Sequence, residues 1–325
     1  MKHKLRVVSR LMFCIALLAA HGAAFGQSYP DKPVKIVLAF GAGSATDMVT
    51  RVYADALRLV FKQPFVIEYK VGASARIGAE FVARAAPDGY TLFVGSNTSH
   101  SANPYLFKKL NYDPIKDFTP ISNLIQFTSV LVVDPNVPVK SVQELLAFAK
   151  TNPQKVSCAY GNTSAQITCA SLFRRGGVEV LQVPYKTNQL AIADILSGNV
   201  TMNFVDLATA SPLIKAGKLR ALAVAKATRS SYIPDVPTVA ETPGMAGFDN
   251  PSWIGLFGPA GMPRPIVELL SGAIQKIAAN RENKERFAQF SAELRASSPE
   301  EFGKFVAWQL DNWGHRIKEL GIEPE

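Results

Sequence analysis

Short apolar runs alternate along the chain with segments that place apolar residues at helical spacing. The run Val34–Phe40 is almost entirely apolar, as expected of a strand that is covered on both faces. Further strand-like runs are Phe65–Tyr69, Thr91–Val94, Ser129–Val133, Val156–Ala159, Val180–Val183, Thr201–Phe204, Arg220–Ala225 and Ser252–Phe257. Because helix-like segments separate most of these runs, the pattern predicts an α/β fold of mostly parallel sheets with helices on both faces.

Capping residues mark two helix starts. Glu144 follows Ser141 by three positions, which predicts a capping box at the start of the helix Val142–Lys150. Ser298 and Glu301 form a second such pair, with proline at the first helical position. This pair predicts a long amphipathic helix whose apolar face carries Phe302, Phe305, Val306, Leu310, Trp313 and Ile317.

Two stretches predict crossings of the chain between two lobes. Asp117–Asn136 lacks helical periodicity, and Tyr232–Pro251 is rich in proline and glycine. With crossings there, residues 27–125 and 251–325 form lobe 1, and residues 126–250 form lobe 2. Two α/β lobes with a double connection predict a hinge and a ligand cleft between the lobes, at the carboxyl ends of the strands.

The first 26 residues have the pattern of an export signal. Basic residues at positions 2, 4, 6 and 10 precede the apolar run Leu11–Ala20, and the small residues Ala24 and Gly26 follow it. We predict that residues 1–26 are a secretory signal peptide that is cleaved before Gln27. A membrane anchor is the alternative, but the run is far shorter than the ~20 residues that a membrane-spanning helix needs. The expected location is the periplasm.

Charge and the scarcity of metal-binding residues narrow the function. The formal net charge of +9 falls to +5 without the four basic residues of the signal segment. No lysine–arginine run and no basic–aromatic stripe indicates nucleic-acid binding. Beyond residue 26 the histidines are His100 and His315 and the cysteines are Cys158 and Cys169, so we expect no metal site and no cofactor. The two cysteines either form a disulfide or are two small buried side chains.

The strand Val34–Phe40 leads into a loop of small residues and then into a predicted helix start. Small residues allow a ligand to approach the backbone, and the unpaired N–H groups of a helix start favour an anion. The loop is neither a P-loop nor a dinucleotide fingerprint, because no Gly-Lys-Ser/Thr follows and Thr46 occupies the place of the third glycine. A purely structural tight turn is the alternative.

Small or polar residues follow several predicted strands, and we expect them to meet in the cleft. In lobe 1 these candidates are Phe40, Gly41, Ala42, Gly43, Ser44, Thr46, Asp47, Ser96, Asn97, Ser99 and His100. In lobe 2 they are Tyr160, Gly161, Asn162, Thr163, Ser164, Tyr185, Thr187, Asn188 and Asp206. Backbone N–H groups and hydroxyls from both sides would bind a carboxylate without an arginine.

Each candidate also has a structural interpretation. Serine, threonine and asparagine are common helix caps, and Asp206 would cap the helix that follows it. Asp47 would compensate a helix dipole, and His100 would pack or cap. Phe40 and Tyr160 either flank a ligand or close the core.

Several segments of the chain occur in an order and spacing typical of one family. These segments are Tyr29–Pro33, Ala86–Leu92, Tyr112–Phe118, Val183–Lys186, Ile214–Val224, Pro234–Glu241 and Ser252–Gly261. Together they resemble the Bug-type extracytoplasmic solute receptors, the substrate-binding proteins of tripartite tricarboxylate transporters. The resemblance covers essentially the whole chain after residue 26.

The resemblance implies a periplasmic-binding-protein fold of type II, in which two α/β lobes close over a solute. In this family a carboxylate is held largely by backbone groups and water in two loops, which correspond to Phe40–Asp47 and Tyr160–Ser164. The loops Ser96–His100 and Tyr185–Gln189 would line the rest of the pocket. We expect a monomer that delivers its ligand to the large and small subunits of an ion-driven membrane permease.

The sequence departs from the family pattern at positions that affect the ligand. The first loop reads Ala-Phe-Gly-Ala-Gly-Ser where the family often has Pro-Phe-Pro-Pro-Gly-Gly, and Thr187 and Asn188 stand where glycines are frequent. Val205 stands where the family often has an acidic residue. This last change favours a ligand without an amine and allows an apolar or aromatic body.

Two other functions compete with a receptor that serves uptake. A periplasmic hydrolase is disfavoured because the sequence has no Gly-x-Ser-x-Gly elbow and few histidines. A sensor that presents its ligand to a signalling protein needs the same sequence features as an uptake receptor. The sequence therefore predicts a non-enzymatic receptor for a dicarboxylate or aromatic carboxylate, and leaves uptake and signalling open.

Overall fold

The structure is a computed structural model that describes residues 29–324. The predicted signal peptide, residues 1–26, lies outside the described residues. The strands are β1 Val34–Leu38, β2 Phe65–Tyr69, β3 Thr91–Ser96, β4 Phe118–Phe127, β5 Ser129–Val133, β6 Ser157–Tyr160, β7 Leu181–Pro184, β8 Met202–Asp206, β9 Arg220–Val224, β10 Ser252–Pro259 and β11 Ala292–Leu294. The helices are α1 Ala45–Phe61, α2 Arg76–Ala83, α3 Asn103–Leu106, α4 Val142–Thr151, α5 Thr163–Gly176, α6 Asn188–Leu196, α7 Leu207–Lys215, α8 Arg264–Ala279, α9 Arg281–Ala288 and α10 Pro299–Glu319.

The strands form two mixed sheets. The first has the order β11-β4-β10-β3-β1-β2, and the second has the order β7-β6-β8-β5-β9. Strand β1 is parallel to β2 and β3, whereas β10 is antiparallel to β3 and β4. In the second sheet β6 is parallel to β7 and β8, whereas β5 is antiparallel to β8 and β9. The α/β class is confirmed, but the prediction of mostly parallel sheets is wrong.

The antiparallel strands have a topological cause. Strands β1, β3, β6 and β8 run toward the side where the two sheets face each other. A strand that arrives from the opposite sheet must run away from that side. Strand β5 arrives in this way through Thr128, directly after β4, and β10 arrives after the long segment that follows β9. Local apolar patterns do not contain this information, because it depends on where the chain came from.

The division into lobes at residues 125/126 and 250/251 stays a prediction. The strands are distributed between the sheets in a way compatible with it, since the chain leaves the first sheet after Phe127 and re-enters it at Ser252. Strand β4 lies within the predicted crossing Asp117–Asn136. The apolar pattern of the sequence does not predict this strand, because Pro120 and Asn123 interrupt the pattern.

Both predicted helix starts exist, with one difference in detail. The Ser141 hydroxyl accepts from the Glu144 N–H at 3.1 Å, but the Glu144 carboxylate accepts from the N–H of Lys140 instead of that of Ser141. At α10 the capping box is complete, because Ser298 and Glu301 each accept from the other's backbone N–H. Of the predicted apolar face of α10, Phe302, Val306, Trp313 and Ile317 are buried.

Each sheet packs its own apolar core. Beside the first sheet, Trp253, Phe257 and Phe302 form one buried cluster. Beside the second sheet, Leu172 and Phe204 belong to another. No helix within residues 29–324 is both long and apolar enough to cross a membrane.

Candidate functional site

A cavity of about 1060 Å³ opens between the two sheets, at the carboxyl ends of β1, β3, β6 and β7. The predicted site residues that line it are Phe40, Gly41, Ser44, Thr46, Ser96, Asn97, Tyr160, Gly161, Asn162, Thr163, Ser164, Tyr185, Thr187 and Asn188. Those outside the lining are Ala42, Gly43, Asp47, Ser99, His100 and Asp206. The structure therefore brings loops from both sheets around one cavity, at the position expected for a ligand between lobes.

The first loop is held from behind by Asp47. This carboxylate is buried at the start of α1 and accepts from the Gly43 N–H at 2.9 Å and from the Tyr69 hydroxyl at 2.6 Å. The guanidinium of Arg51, one turn along the helix, lies 3.0 Å from the same carboxylate. Ser44 caps the helix by accepting from the Asp47 N–H at 3.2 Å. Asp47 thus positions the loop and does not line the cavity.

The loop after β6 is fixed by two asparagines. Asn162 caps α5, and its Oδ1 accepts from the Ala165 N–H at 2.9 Å. Asn188, at the start of α6, accepts from the Gly161 N–H at 2.9 Å. The two loops approach so closely that a Cβ on Gly161 would lie 2.1 Å from the Asn188 nitrogen. Glycine is therefore required at position 161 by contact with the neighbouring loop.

A disulfide supports the second loop from both ends. Cys158 lies in β6, before the loop, and Cys169 lies in α5, after it, with Cα atoms 6.6 Å apart. Both side chains are buried in the core of the second sheet. Of the two alternatives that the sequence left open, the structure contains the disulfide.

Tyr185 lines the cavity while its hydroxyl is engaged elsewhere. The hydroxyl donates to Asp194 at 2.6 Å, and this hydrogen bond raises the pKa of Tyr185 to about 12. Asn188 is similarly engaged through its oxygen, which also accepts from the Asn203 amide at 3.3 Å. The parts of these residues that remain for a ligand are the tyrosine ring, the Asn188 amide nitrogen and the backbone.

The loop after β3 contributes Ser96 and Asn97 to the cavity but buries His100. The imidazole stacks on Phe257 at 4.0 Å between ring centroids, and its Nδ1 is 2.9 Å from the Ser99 hydroxyl. Burial lowers the pKa of His100 to about 3, so the ring is neutral at ordinary pH. His100 has a packing position, which is one of the two interpretations that the sequence allowed.

Asp206 ends β8 and does not line the cavity. Burial raises the pKa of its carboxyl to about 6, while a hydrogen bond with Ser252, at the start of β10, acts in the opposite direction. Its side chain makes no capping hydrogen bond to α7. The preceding residue, Val205, is buried in the core of the second sheet and also lies outside the lining.

The sequence patterns missed several residues along the cavity. The wall opposite the second loop is the segment Val71–Ala75, and further lining comes from Leu106, Phe107, Gln166, Ile322 and Glu323. The local feature of the sequence that marks this wall is the glycine at position 72. Its φ of 132° in the structure is one that favours glycine. The remaining residues reach the cavity through the tertiary fold, and no local motif marks them.

The electrostatics of the lining come almost entirely from neutral groups. Among the described residues along this cavity, the charged side chains are Lys186 and Glu323, and both are solvent-exposed. The starts of α1, α5 and α6 all lie at the cavity, so three helix dipoles present their positive ends to it. Within residues 29–324 no cluster of three or more metal-binding side chains exists.

This arrangement of two α/β sheets with a cavity between them is that of two-lobed periplasmic binding proteins, and solved structures agree. The periplasmic binding protein BugD has a TM-score of 0.85 at 32% identity, over 91% of this chain and 100% of that chain. An R. palustris protein solved with adipate has a TM-score of 0.88 at 29% identity, over 91% and 100% of the two chains. MatC from Rhodopseudomonas palustris, with bound malate, has a TM-score of 0.83 at 30% identity, over 89% and 100%.

The profile of the tripartite tricarboxylate transporter family receptors matches residues 49–322, and the chain belongs to this family. The resemblance to Bug-type receptors and the two-lobed fold class are thereby confirmed. The protein is a periplasmic solute-binding protein of this family, which consists of binding proteins and not of enzymes.

Proposed function

We propose that the protein captures a small dicarboxylate or aromatic carboxylate between its lobes and delivers it to a tripartite tricarboxylate-type permease. The observation that carries this proposal is the convergence of the starts of α1, α5 and α6 on one cavity. A helix start combines unpaired N–H groups with a positive dipole end, and both favour a carboxylate.

The caps of these helices leave donors for a ligand. Ser44, Asn162 and Thr187 each accept from the third N–H of their helix. The first two N–H groups of each helix have no hydrogen-bond acceptor among residues 29–324. Carboxylates from two ends of one ligand would supply acceptors to helix starts on both sides of the cavity.

A buried side chain adds a further unpaired donor. The amide nitrogen of Asn97 is buried and has no hydrogen-bond partner within the described part of the chain, although Asn97 lines the cavity. Its oxygen accepts from the backbone N–H of Trp253 at 3.4 Å. A buried donor without a partner costs free energy, and a ligand oxygen or a water bound by the ligand would recover it.

The lining also bears on which carboxylates fit. Val205 and Asp206 lie outside this lining. Among the described residues along the cavity, the acidic side chain is that of Glu323, which is exposed. We therefore favour a ligand without an amine. Adipate and malate, the ligands of two similar structures, are both dicarboxylates without an amine, which supports this class.

Calorimetry on ligand-stripped protein tests the proposal. Adipate, malate and benzoate would be titrated beside adipamide, which has the length of adipate but no charge. We expect saturable binding of at least one acid and none of adipamide. Absence of binding by every acid, or equal binding of adipamide, would contradict the proposed ligand class.

A variant in the first loop tests the location of the site. The Cβ position of Gly41 is 3.6 Å from the Thr187 methyl group of the opposite lobe, and the φ of Gly41 does not require glycine. Gly41→Leu should therefore fill the space between the loops and abolish binding without unfolding the protein. Ala42→Leu is the matched control, because Ala42 is exposed and lies outside the lining. Equal affinities of both variants would place the ligand elsewhere.

Delivery to a permease and export are tested in cells. Deletion of the gene should abolish uptake of the ligand found by calorimetry, and the exported protein should begin at Gln27. Normal uptake together with loss of a transcriptional response to the same ligand would favour the sensor function instead. Hydrolysis of an ester or amide by the purified protein would overturn both.

A further inference from the structure

One wall of the cavity has an unusual backbone. The consecutive residues Ala73, Ser74 and Ala75 have φ angles of 46°, 52° and 69°, and Gly72 before them has a φ of 132°. Residues with a Cβ rarely adopt left-handed angles, and successive ones are rarer still, because the Cβ approaches the carbonyl oxygen. We refer to Gly72–Ala75 as the left-handed turn. Such a turn persists only where its surroundings hold it.

Two side chains hold the left-handed turn. The Asn103 amide nitrogen donates to the Ser74 carbonyl at 2.7 Å. Arg76 donates to the Ala73 carbonyl through both its backbone N–H, at 3.1 Å, and its Nε, at 3.0 Å. Asn103 is completely buried whereas Ser74 is exposed, so the donor side of this hydrogen bond is shielded from competing water.

The same asparagine contacts the other lobe. Its Oδ1 accepts from the hydroxyl of Thr163, the first residue of α5, at 3.4 Å, and Thr163 is also buried. Apolar contacts surround this hydrogen bond, because Ile167 of α5 packs with Ala102 and Leu106 of the first lobe. Asn103 therefore connects the left-handed turn to the helix start that offers N–H groups to the cavity.

We propose that Asn103 is a positioning residue that couples the left-handed turn to closure of the two lobes. Asn103 follows β3 of the first sheet and Thr163 follows β6 of the second, so separation of the two lobes at this point breaks their contact. Breaking it exposes the amide to water and weakens its hold on Ser74. The left-handed turn is therefore most ordered when the lobes are closed. The coupling itself does not depend on the proposed function. Only its consequence does, which is that a bound ligand favours the closed form with the ordered left-handed turn.

The coupling gives the wall a role in ligand selection. Val71, Ala73 and Ala75 present small or apolar groups to the cavity along this wall. A ligand body that fits them stabilises the closed form, whereas a ligand that displaces the turn must also break the contact to Thr163. The differential free energy between the two forms would thus depend on the shape of the ligand body.

Amide hydrogen exchange of the ligand-free protein tests the coupling. The measured peptide spans residues 70–78, and the variants are Asn103→Ala and Thr163→Val. Thr163→Val removes one buried neutral hydrogen bond and should speed exchange in this peptide by about fivefold. Asn103→Ala also removes the hydrogen bonds of the asparagine to Ser74 and Tyr112, so it should speed exchange by more. Thr163→Ser keeps the hydroxyl and should restore wild-type exchange.

Ser171→Ala is the matched control on the same helix. The Ser171 hydroxyl is buried and has no hydrogen-bond partner within the described residues, so its removal should leave exchange at residues 70–78 unchanged. Faster exchange in Asn103→Ala alone would show that the asparagine acts only within its own lobe, and would refute the coupling. The same conclusion follows if Thr163→Val and Thr163→Ser behave alike. If Asn103→Ala does not fold, the two Thr163 variants decide the outcome.

The same exchange measurement with ligand present distinguishes a failure of this inference from a failure of the proposed function. In the presence of saturating adipate, exchange at residues 70–78 should slow further in the wild type and less in Thr163→Val. Failure of adipate and the other acids to bind would count against the proposed ligand class. The ligand-free comparison would still decide whether the two lobes are coupled through Asn103.

Discussion

The loops Phe40–Asp47 and Tyr160–Ser164 lie on opposite sides of the cavity and are held by different forces. Behind the first loop, one buried carboxylate gathers a backbone N–H, a tyrosine hydroxyl and a guanidinium. The second loop is held by close packing against the start of α6, two asparagine amides and a disulfide. Both present a helix start to the cavity. The first should depend mainly on charge, and the second mainly on shape.

The largest expected effect is that of Gly161→Ala. Its Cβ would lie 2.1 Å from the Asn188 backbone nitrogen, so the two loops of the second lobe would have to move apart. We expect the free energy of unfolding to fall by about 3 kcal/mol and ligand binding to be lost, as measured by chemical denaturation and calorimetry.

Gly43→Ala is the control in the first loop. Nothing lies within 4 Å of the added Cβ, but the φ of 77° at Gly43 disfavours alanine. We expect a loss of about 1 kcal/mol in unfolding free energy and retained binding. If the two alanine variants lost similar free energy and both lost binding, the contrast between a packed and an open loop would be wrong.

Asp47→Ala should have the next largest effect. Its carboxylate is buried and joins three donors, so its loss should lower the unfolding free energy by about 2 kcal/mol and weaken ligand binding. Asp55→Ala is the matched control on the same helix, since its ion pair with Arg286 is exposed and should contribute little. Equal effects of the two substitutions would mean that the charged support of the first loop is unimportant.

The sequence predicted the strands and the cleft better than the parts that depend on tertiary context. Ser129–Val133 was predicted with its observed bounds, because continuous apolar runs bounded by turn residues are a local signal. The loops after β1, β6 and β7 reached the cavity as expected, because carboxyl ends of parallel strands meet at one edge.

Three features of the site could not be read from local patterns. The burial of His100 depends on Phe118 and Phe257, which are distant in sequence. The supporting role of Asp47 depends on Tyr69, which arrives from β2. The left-handed turn of Gly72–Ala75 contains mostly ordinary small residues, and only contacts from α3 and Arg76 select its conformation.

The smallest expected effect concerns Asp206, which ends β8 of the second sheet but contacts Ser252 of the first sheet. The pKa of its carboxyl is about 6 in the folded protein, above its ordinary value of 3.8, because burial disfavours the charged form. The folded state therefore binds the proton more tightly than the unfolded state. The stability that the group contributes is fully present below about pH 4 and is lost as the pH rises through 6.

Asp206→Asn removes this titration, since the amide is neutral at every pH. We expect the melting temperature of the variant to exceed that of the wild type by a few degrees at pH 7.5, and the difference to shrink toward pH 4. Asp235→Asn, at an exposed carboxylate of the second lobe, is the control for the same substitution at a solvated position. A difference between Asp206→Asn and wild type that stays constant with pH would show that the carboxyl is ionised at no cost. In that case the place where Asp206 of the second sheet meets Ser252 of β10 would accommodate a negative charge, as the first loop does at Asp47.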